Sequence, residues 1–349
     1  MLTEKQLQQI RDELESCKNP FFFFHDDPDG LASYLLLRRY TKEGHGIPVK
    51  STPRVDEKFL NKIEEYTPDK IFITDIAMVD EKFVEKVHVP IIWIDHHEPA
   101  DVKGVKYFNP RVSHPTDNLP ASFLCYEVVK QDLWIAITGI VGDWTYSKHH
   151  KQFAKEYPDL LPKDMTDPGQ IMFETKIGQM SQIMAFCLKG KTSVVNKLIK
   201  EFIKVHDPYD ILERKTTGGK MIMDYYTEMS KEYEDIVKEA VKCAKEDDKL
   251  LVFTYPDDNM SYSGGISNEL LYKFRDKVVI IGRIKDGTVR CSFRSSPPIN
   301  VRDLVSESMH GLEGFSGGHE HACGGNIKVE DFDKFIENLR SKLAELKQN

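Results

Sequence analysis

Several features that mark large classes of protein are missing from this sequence. Its six cysteines (17, 125, 187, 243, 291 and 323) are scattered, with no Cys-x-x-Cys pair. That spacing excludes a disulfide framework and a cysteine-rich structural zinc site, and it fits a reducing compartment. No apolar run approaches the roughly 18–20 residues that a membrane span needs. There is no internal repeat and no low-complexity tract. Positive charge is in deficit, 48 Lys and Arg against 56 Asp and Glu, for a net charge of −8. A chain so charged does not coat long nucleic acid by counterion release alone. The opening "MLTEKQLQQIRDELES" is charged from residue 4 and has no apolar signal-peptide core. The expectation is a cytoplasmic chain without a membrane partner.

What remains is an ordinary globular composition, 40% hydrophobic and 30% charged over 349 residues, a length that predicts two domains. The opening segment reads as an amphipathic helix, with Leu2, Leu7, Ile10 and Leu14 at helical spacing. Four short apolar runs follow: "PFFFF" from Pro20, "KIFIT" from Lys70, "PIIWI" from Pro90 and "VKYF" from Val105. The first three are continuously apolar, as strands covered on both faces of a parallel sheet are. Helical stretches such as "LASYLLLRRYTKE" and "EKFLNKIEEYT" lie between them, which predicts an α/β layered domain. "DLWIAITGIVGDW" (132–144) is apolar nearly all round and reads as a buried helix.

From about His149 the chain turns polar, then reads as helical over 171–245. Strands return with "KLLVFTYP", "KVVIIGRI" and "TVRCSFRSS", the last two joined by an Asp-Gly turn at 286–287, and a helix closes the chain. The expected organisation is an α/β catalytic domain with a parallel sheet over 1–150, a helical linker over 151–245, and a smaller α/β domain with a mixed sheet over 246–349.

The strand ends carry the chemistry. The first strand runs into His25, Asp26, Asp27, Pro28, Asp29 and Gly30; the second into Asp75; the third into Asp95, His96 and His97. Ligands of parallel sheets bind outside the carboxyl ends of the strands, so these groups are expected to converge. Asp143, in "GIVGDW", ends a buried stretch where a lone carboxylate is costly. Alone, "HDDPDG" would suit a solvated turn and Asp75 a helix cap; together they form a set. Carboxylates facing one another repel and raise each other's pKa. Divalent cations between them remove the repulsion, and a donor set rich in oxygen favours Mn²⁺, with Mg²⁺ the alternative. The number of ligands points to two ions.

This order of motifs, His-x-Asp-x-Asp-Gly, then Asp, then Asp-His-His, then a late Asp, resembles that of the DHH phosphoesterase superfamily. The spacing of "HDDPDG" is closer to the RecJ-like single-strand nucleases than to the oligoribonucleases and cyclic-dinucleotide phosphodiesterases. Pro28 stands where alanine is usual and Asp26 where tyrosine is common; "GIVGDW" replaces Gly-x-x-x-Asp-Thr. The resemblance implies that His25 and Asp27 hold one metal, that Asp29, His96 and Asp143 hold the other, and that Asp75 bridges them. It further implies that His97 faces the scissile phosphate, that Asp95 orients the imidazoles, and that a water activated by the metals is the nucleophile.

"GFSGGHEHACGG" (314–325) is the second signal. Glycines allow close backbone approach, and their N–H groups can cradle an anion. The stretch resembles the Gly-Gly-Gly-His motif of the domain attached to DHH nucleases, with Ser316 in place of the first glycine. That likeness makes Gly317, Gly318, His319, Arg294 and Ser295 candidate substrate-binding residues. His149–His150 is expected to be a solvated surface pair.

The function these features predict is metal-dependent hydrolysis of single-stranded DNA or RNA, or of short oligonucleotides. The alternative is a phosphoesterase acting on cyclic dinucleotides or nucleoside bisphosphates. The remaining class is a non-catalytic replication or repair scaffold. A second copy of the chain, or a replication or repair protein, is left open as partner.

Overall fold

The structure is a computed structural model that describes residues 1–50, 54–256 and 261–345. The chain divides into two compact units, Met1–Tyr226 and Thr227–Asn349.

The first unit opens with α1 (Glu4–Glu15), β1 (Pro20–His25), α2 (Pro28–Thr41), β2 (His45–Val49), β3 (Arg54–Val55), α3 (Leu60–Tyr66), β4 (Lys70–Thr74), β5 (Met78–Val79) and α4 (Glu81–Lys86). It continues with β6 (Ile91–Ile94), β7 (Lys106–Phe108), α5 (Ala121–Val129), α6 (Leu133–Gly142), α7 (His150–Glu156), α8 (Pro168–Glu174), α9 (Lys176–Cys187), α10 (Thr192–Lys204) and α11 (Pro208–Leu212). Five strands form a sheet in the order β2-β1-β4-β6-β7, parallel at every pairing. The run of four phenylalanines in β1 explains itself by alternation. Phe22 and Phe24 enter a core shared with α1, α2, α5 and α6, while Phe21 and Phe23 enter a second core with Ile71, Ile73, Phe83 and Trp93. Both faces are covered, so no position in the strand favours a polar residue. Each fully buried ring contributes about 1.5–3 kcal/mol relative to exposure.

Register sets the rest. Phe24 pairs with Thr74, Thr74 with Ile94, and Ile94 with Phe108. The next residue of each strand therefore falls in one row across the sheet: His25, Asp75, Asp95 and Asn109. Backbone bonds from Asp75 N to Ile94 O (3.0 Å) and from Asp95 N to Phe108 O (3.1 Å) carry the ladder into that row.

Helices α2, α5 and α6 pack without spare room: a Cβ on Gly139 would stand 2.6 Å from Ser122 Oγ and 2.7 Å from Ala32 Cβ. Every residue from Leu133 to Val141 is buried, as the all-apolar stretch implies. The helices expected as a linker behave differently from that expectation up to residue 226. Ile171, Met180, Leu198, Phe202 and Ile222 share one continuous core with Leu35 and Ile137, so residues 151–226 belong to the first unit. The amphipathic faces read there are apolar because they face this core.

The unit boundary falls within α12 (Thr217–Lys242). The second unit then has β8 (Leu250–Pro256), α13 (Ser263–Lys273), β9 (Val278–Lys285), β10 (Thr288–Arg294), α14 (Val301–Ser308), β11 (Gly314–His319), β12 (Ala322–Lys328) and α15 (Val329–Glu345). Its sheet is mixed, in the order β11-β12-β10-β9-β8, with β8 and β9 parallel and the other pairs antiparallel. The β9–β10 hairpin turns on Asp286 and Gly287, both at positive φ (47° and 73°), the backbone that an Asp-Gly pair supplies at low cost. Phe335, Leu339 and Leu343 of α15 pack with Val289 and Phe293. Residues 346–348 of the expected closing helix lie outside the described residues. No helix among the described residues is long and apolar enough to cross a membrane.

Candidate metal centre

Four short segments bring their side chains to the strand-end row. The turn after β1 does two things with Asp27: its Oδ1 accepts the Gly30 N–H at 2.9 Å and caps α2, while its Oδ2 stands 2.8 Å from His25 Nδ1. Gly30 is required here, since a Cβ would lie 2.3 Å from His25 O. Asp29, the second residue of α2, is fully buried and accepts the Ala121 N–H (2.8 Å), the Ser122 N–H (2.9 Å) and the Ser122 hydroxyl. A carboxylate at the start of α5 is favoured by the free N–H groups and the positive end of the helix dipole.

Asp75 is the hub. Its backbone is left-handed (φ 57°), a region that Asp tolerates better than most residues and that recurs at functional sites. The buried carboxylate lies 3.4 Å from His25 Nδ1, 3.2 Å from His96 Nε2 and 3.9 Å from His97 Nδ1. His96 Nε2 is also 3.4 Å from Asp143 Oδ2 and 4.0 Å from Asp29 Oδ2. His25 Nδ1 and Asp75 Oδ2 are buried and close together, yet neither has an aligned hydrogen-bond partner. Donor atoms that crowd together without bonding each other fit a common cation better than a hydrogen-bond network. The residues group as His25–Asp27–Asp75, Asp29–His96–Asp143 and Asp75–His96–His97, each set with ligand atoms within 4.8 Å of one another.

The electrostatics agree. Burial opposes charge on His25, but the Asp27 and Asp75 carboxylates lift its pKa to about 12. His96, buried likewise, is held at about 10 by Asp75, Asp143 and Asp29. Burial, with the neighbouring Asp75 charge, pushes Asp29 up to about 7. Burial and the Asp29 charge raise Asp143 well above the carboxylate range. Asp75 stays well below it, against its burial, because two imidazoles face it. Protons thus hold the cluster together, and divalent cations would neutralise the same charges with better-matched donors. Four carboxylates and two imidazoles fit Mn²⁺ or Mg²⁺.

Behind these groups, Asp95 is fully buried and its Oδ1 is 2.7 Å from His97 Nδ1. Asn109 supports it, donating to Asp95 Oδ2 (3.4 Å) and to His97 O (2.9 Å). Sequence reasoning passed over Asn109 and Ser122. The signal for Asn109 was its place directly after the fourth apolar run; Ser122 left none, because its partner Asp29 is 93 residues away. His149–His150 is not a solvated pair. His150 is 1% exposed, its Nδ1 accepting the Ser147 N–H at 3.1 Å, and burial holds its pKa at about 4; His149 contacts Glu127. The start of α7 turns both rings inward.

In the second unit Arg294, Ala322 and His319 are register partners across β10, β12 and β11, as are Ser292, Gly324 and Gly317. Paired residues share a face of the sheet, so Gly324 and Gly317 leave a strip of bare backbone beside Arg294. A Cβ on Gly317 would meet nothing within 4 Å. The Arg294 guanidinium donates to Asn268 Oδ1 (2.6 Å), Ser292 Oγ (3.1 Å) and Phe293 O (2.9 Å), and no carboxylate pairs with it among the described residues. Gly318 lies on the opposite face, at φ 138°. Ser295 is 2% exposed, and its hydroxyl donates to Ile299 O at 2.6 Å, which ties it to the turn after β10.

A parallel sheet with carboxylates and imidazoles crowded at its carboxyl edge, followed by a mixed-sheet unit, defines a class by its architecture: a two-unit α/β fold whose strand-end cluster could hold metal ions. Residues 247–345 match the DHHA1 domain family. That match lies in the second unit, and the fold of the chain as a whole is shared with the solved structures that follow. No curated protein matches the sequence. Among solved structures, RecJ of Thermus thermophilus in complex with Mn²⁺ is 14% identical, with a TM-score of 0.70 over 99% of this chain. That match spans 55% of the Thermus protein, so the present chain corresponds to about half its length. An exonuclease RecJ bound to manganese (14% identity, TM-score 0.62, 98% and 95% of the two chains) shares the fold, as does a pGpG-specific phosphodiesterase from Vibrio cholerae (14%, 0.53, 94% and 99%).

Proposed function

We propose that the chain hydrolyses phosphodiester bonds in single-stranded DNA, RNA or short oligonucleotides, in a reaction that depends on two divalent cations. The observation that carries this reading is the pair of ligand groups, His25–Asp27–Asp75 and Asp29–His96–Asp143, with Asp75 3.2 Å from His96 and so between them. Each group would hold one ion, and Asp75 would touch both. When bound, such ions neutralise phosphoryl charge and bring the pKa of a water into the working range.

The protein's own groups do the rest. Asp95 holds the Nδ1 edge of His97, which leaves the Nε2–H to donate to a phosphoryl oxygen. Burial works against the charge on His97, but Asp95 and Asp75 raise its pKa and favour the donating imidazolium. Asn109 and the buried Asp95 keep that ring from turning. Arg294, without a carboxylate partner and beside the bare glycine strip, would bind a phosphate of the nucleotide chain. The net charge of −8 favours short or unpaired strands over duplex. A fold shared with an exonuclease and with a phosphodiesterase supports the chemistry.

The test is a gel ladder with Mn²⁺, using labelled single strands of two to about twenty nucleotides and EDTA as control. Stepwise shortening of the long strands is the expected outcome. Cleavage confined to the shortest species would move the substrate to dinucleotides, and no metal-dependent cleavage would overturn the reading. Arg294→Ala should raise KM for oligonucleotides roughly 10- to 100-fold, the range of one charge-assisted contact, with kcat nearly unchanged. Arg294→Lys, which keeps the charge without the fork, should recover only part of it; an unchanged KM in both would remove Arg294 from the substrate site.

A further inference from the structure

Helix α6 ends in an unusual way, directly at the metal centre. Asp143 is its C-cap; the next two N–H groups turn back, Trp144 N to Val141 O (3.0 Å) and Thr145 N to Ile140 O (3.2 Å). This double return is the Schellman ending, which places the residue after the cap in the left-handed region and is usually glycine. Here it is Trp144, at φ 52°. A bulky side chain in that conformation is a strained outlier. Glycine would adopt it freely, so local stability does not account for the tryptophan.

Nor does the core account for it. Trp93 (0% exposed) and Trp134 (3%) are buried, but Trp144 is partly exposed, as are its neighbours Gly142 to Tyr146. Its ring is braced edge-on by Phe173, with centroids 5.4 Å apart and planes at 62°. A strained, braced and half-open indole thus lies one residue from a metal-site carboxylate. Aromatic faces in such positions bind unpaired bases by stacking, and a rigid ring loses little freedom in doing so.

We propose that Trp144 is a base-stacking platform, holding the nucleobase next to the scissile phosphate, and that it sets a preference for nucleotide over plain phosphodiester substrates. The inference rests on the phosphodiesterase reading above. It makes Trp144 a positioning residue whose contact is with the base rather than with the reacting atoms.

The first test is fluorescence. Trp144 is the single partly exposed tryptophan of three, so its emission reports the site. With Ca²⁺ in place of Mn²⁺, a 5′-phosphorylated deoxyadenosine trinucleotide should quench it, while an abasic trimer of equal charge should not. In the Mn²⁺ reaction, Trp144→Gly should raise KM for the trinucleotide about 5- to 150-fold, the range of one lost base stack, and leave KM for the abasic trimer unchanged. Trp144→Phe should restore most of the difference. The melting temperature of Trp144→Gly should hold or rise, which separates lost stacking from lost folding. Equal effects on the two trimers, or no quenching by either, would overturn the platform while leaving hydrolysis standing. Quenching by the trinucleotide without hydrolysis of either trimer would retain the platform and overturn the hydrolase reading instead.

Discussion

Asp75→Ala is expected to lower kcat by roughly 1,000-fold or more, equivalent to about 4 kcal/mol of transition-state stabilisation. Asp75 is the carboxylate that approaches three imidazoles, those of His25, His96 and His97. Its removal therefore affects both proposed metal groups at once. Asp75→Asn is the sharper variant, because asparagine also tolerates a left-handed backbone and fills the same space while removing the charge. It should lose nearly as much activity. His96→Ala and Asp143→Ala, each in one group, should also abolish turnover. Asp95→Asn acts through His97 and should cost only about 10- to 100-fold, as partners of ligands generally do. Steady-state rates on a labelled oligonucleotide, with metal binding followed by calorimetry, would rank the five variants. An Asp75→Asn protein retaining a tenth of the activity would sink the two-metal assignment.

The second large effect is on stability. Mn²⁺ at about 100 times its Kd should stabilise the folded chain by roughly 2.7 kcal/mol per site, because it binds the folded cluster and not the unfolded chain. For a unit the size of Met1–Tyr226 this corresponds to a rise of about 5–10 °C in its melting transition. EDTA should reverse the shift, and Asp75→Asn should remove most of it. The cause is the repulsion among Asp27, Asp29, Asp75 and Asp143, which protons on His25 and His96 relieve only in part. A melting curve indifferent to Mn²⁺ and Mg²⁺ would mean that the cluster is held by hydrogen bonds alone.

Much of this was legible in the sequence, for reasons that differ between elements. The parallel sheet showed because strands buried on both faces must be apolar throughout, as Phe21 to Phe24 and Ile91 to Ile94 are. The position of His25, Asp75, Asp95 and His96 followed from the same fact, since strand ends of one sheet lie together. The place of residues 151–226 was not legible. An amphipathic helix records that it packs, but not against what, and Leu198 or Ile222 would look alike beside either unit. His150 misled for a related reason: a polar neighbourhood in sequence, "SKHHKQ", hides a ring turned inward by the first turn of α7. The strain at Trp144 was invisible, because a backbone angle has no letter.

The strand-end row also bears on how a chain like this can change length over time. Because His25, Asp75, Asp95 and Asn109 are each fixed one residue beyond a paired position, β1, β4 and β6 act as rulers. Deleting a single residue between Lys70 and Thr74 would draw the following carboxylate back by about 3.3 Å and turn it to the other face. The same deletion before Lys70, in the turn after α3, would leave the row untouched. Lineages carrying this architecture are thus free to gain and lose residues at the amino-terminal edge of the sheet, and are held to a fixed count along the strands that lead to the opposite one.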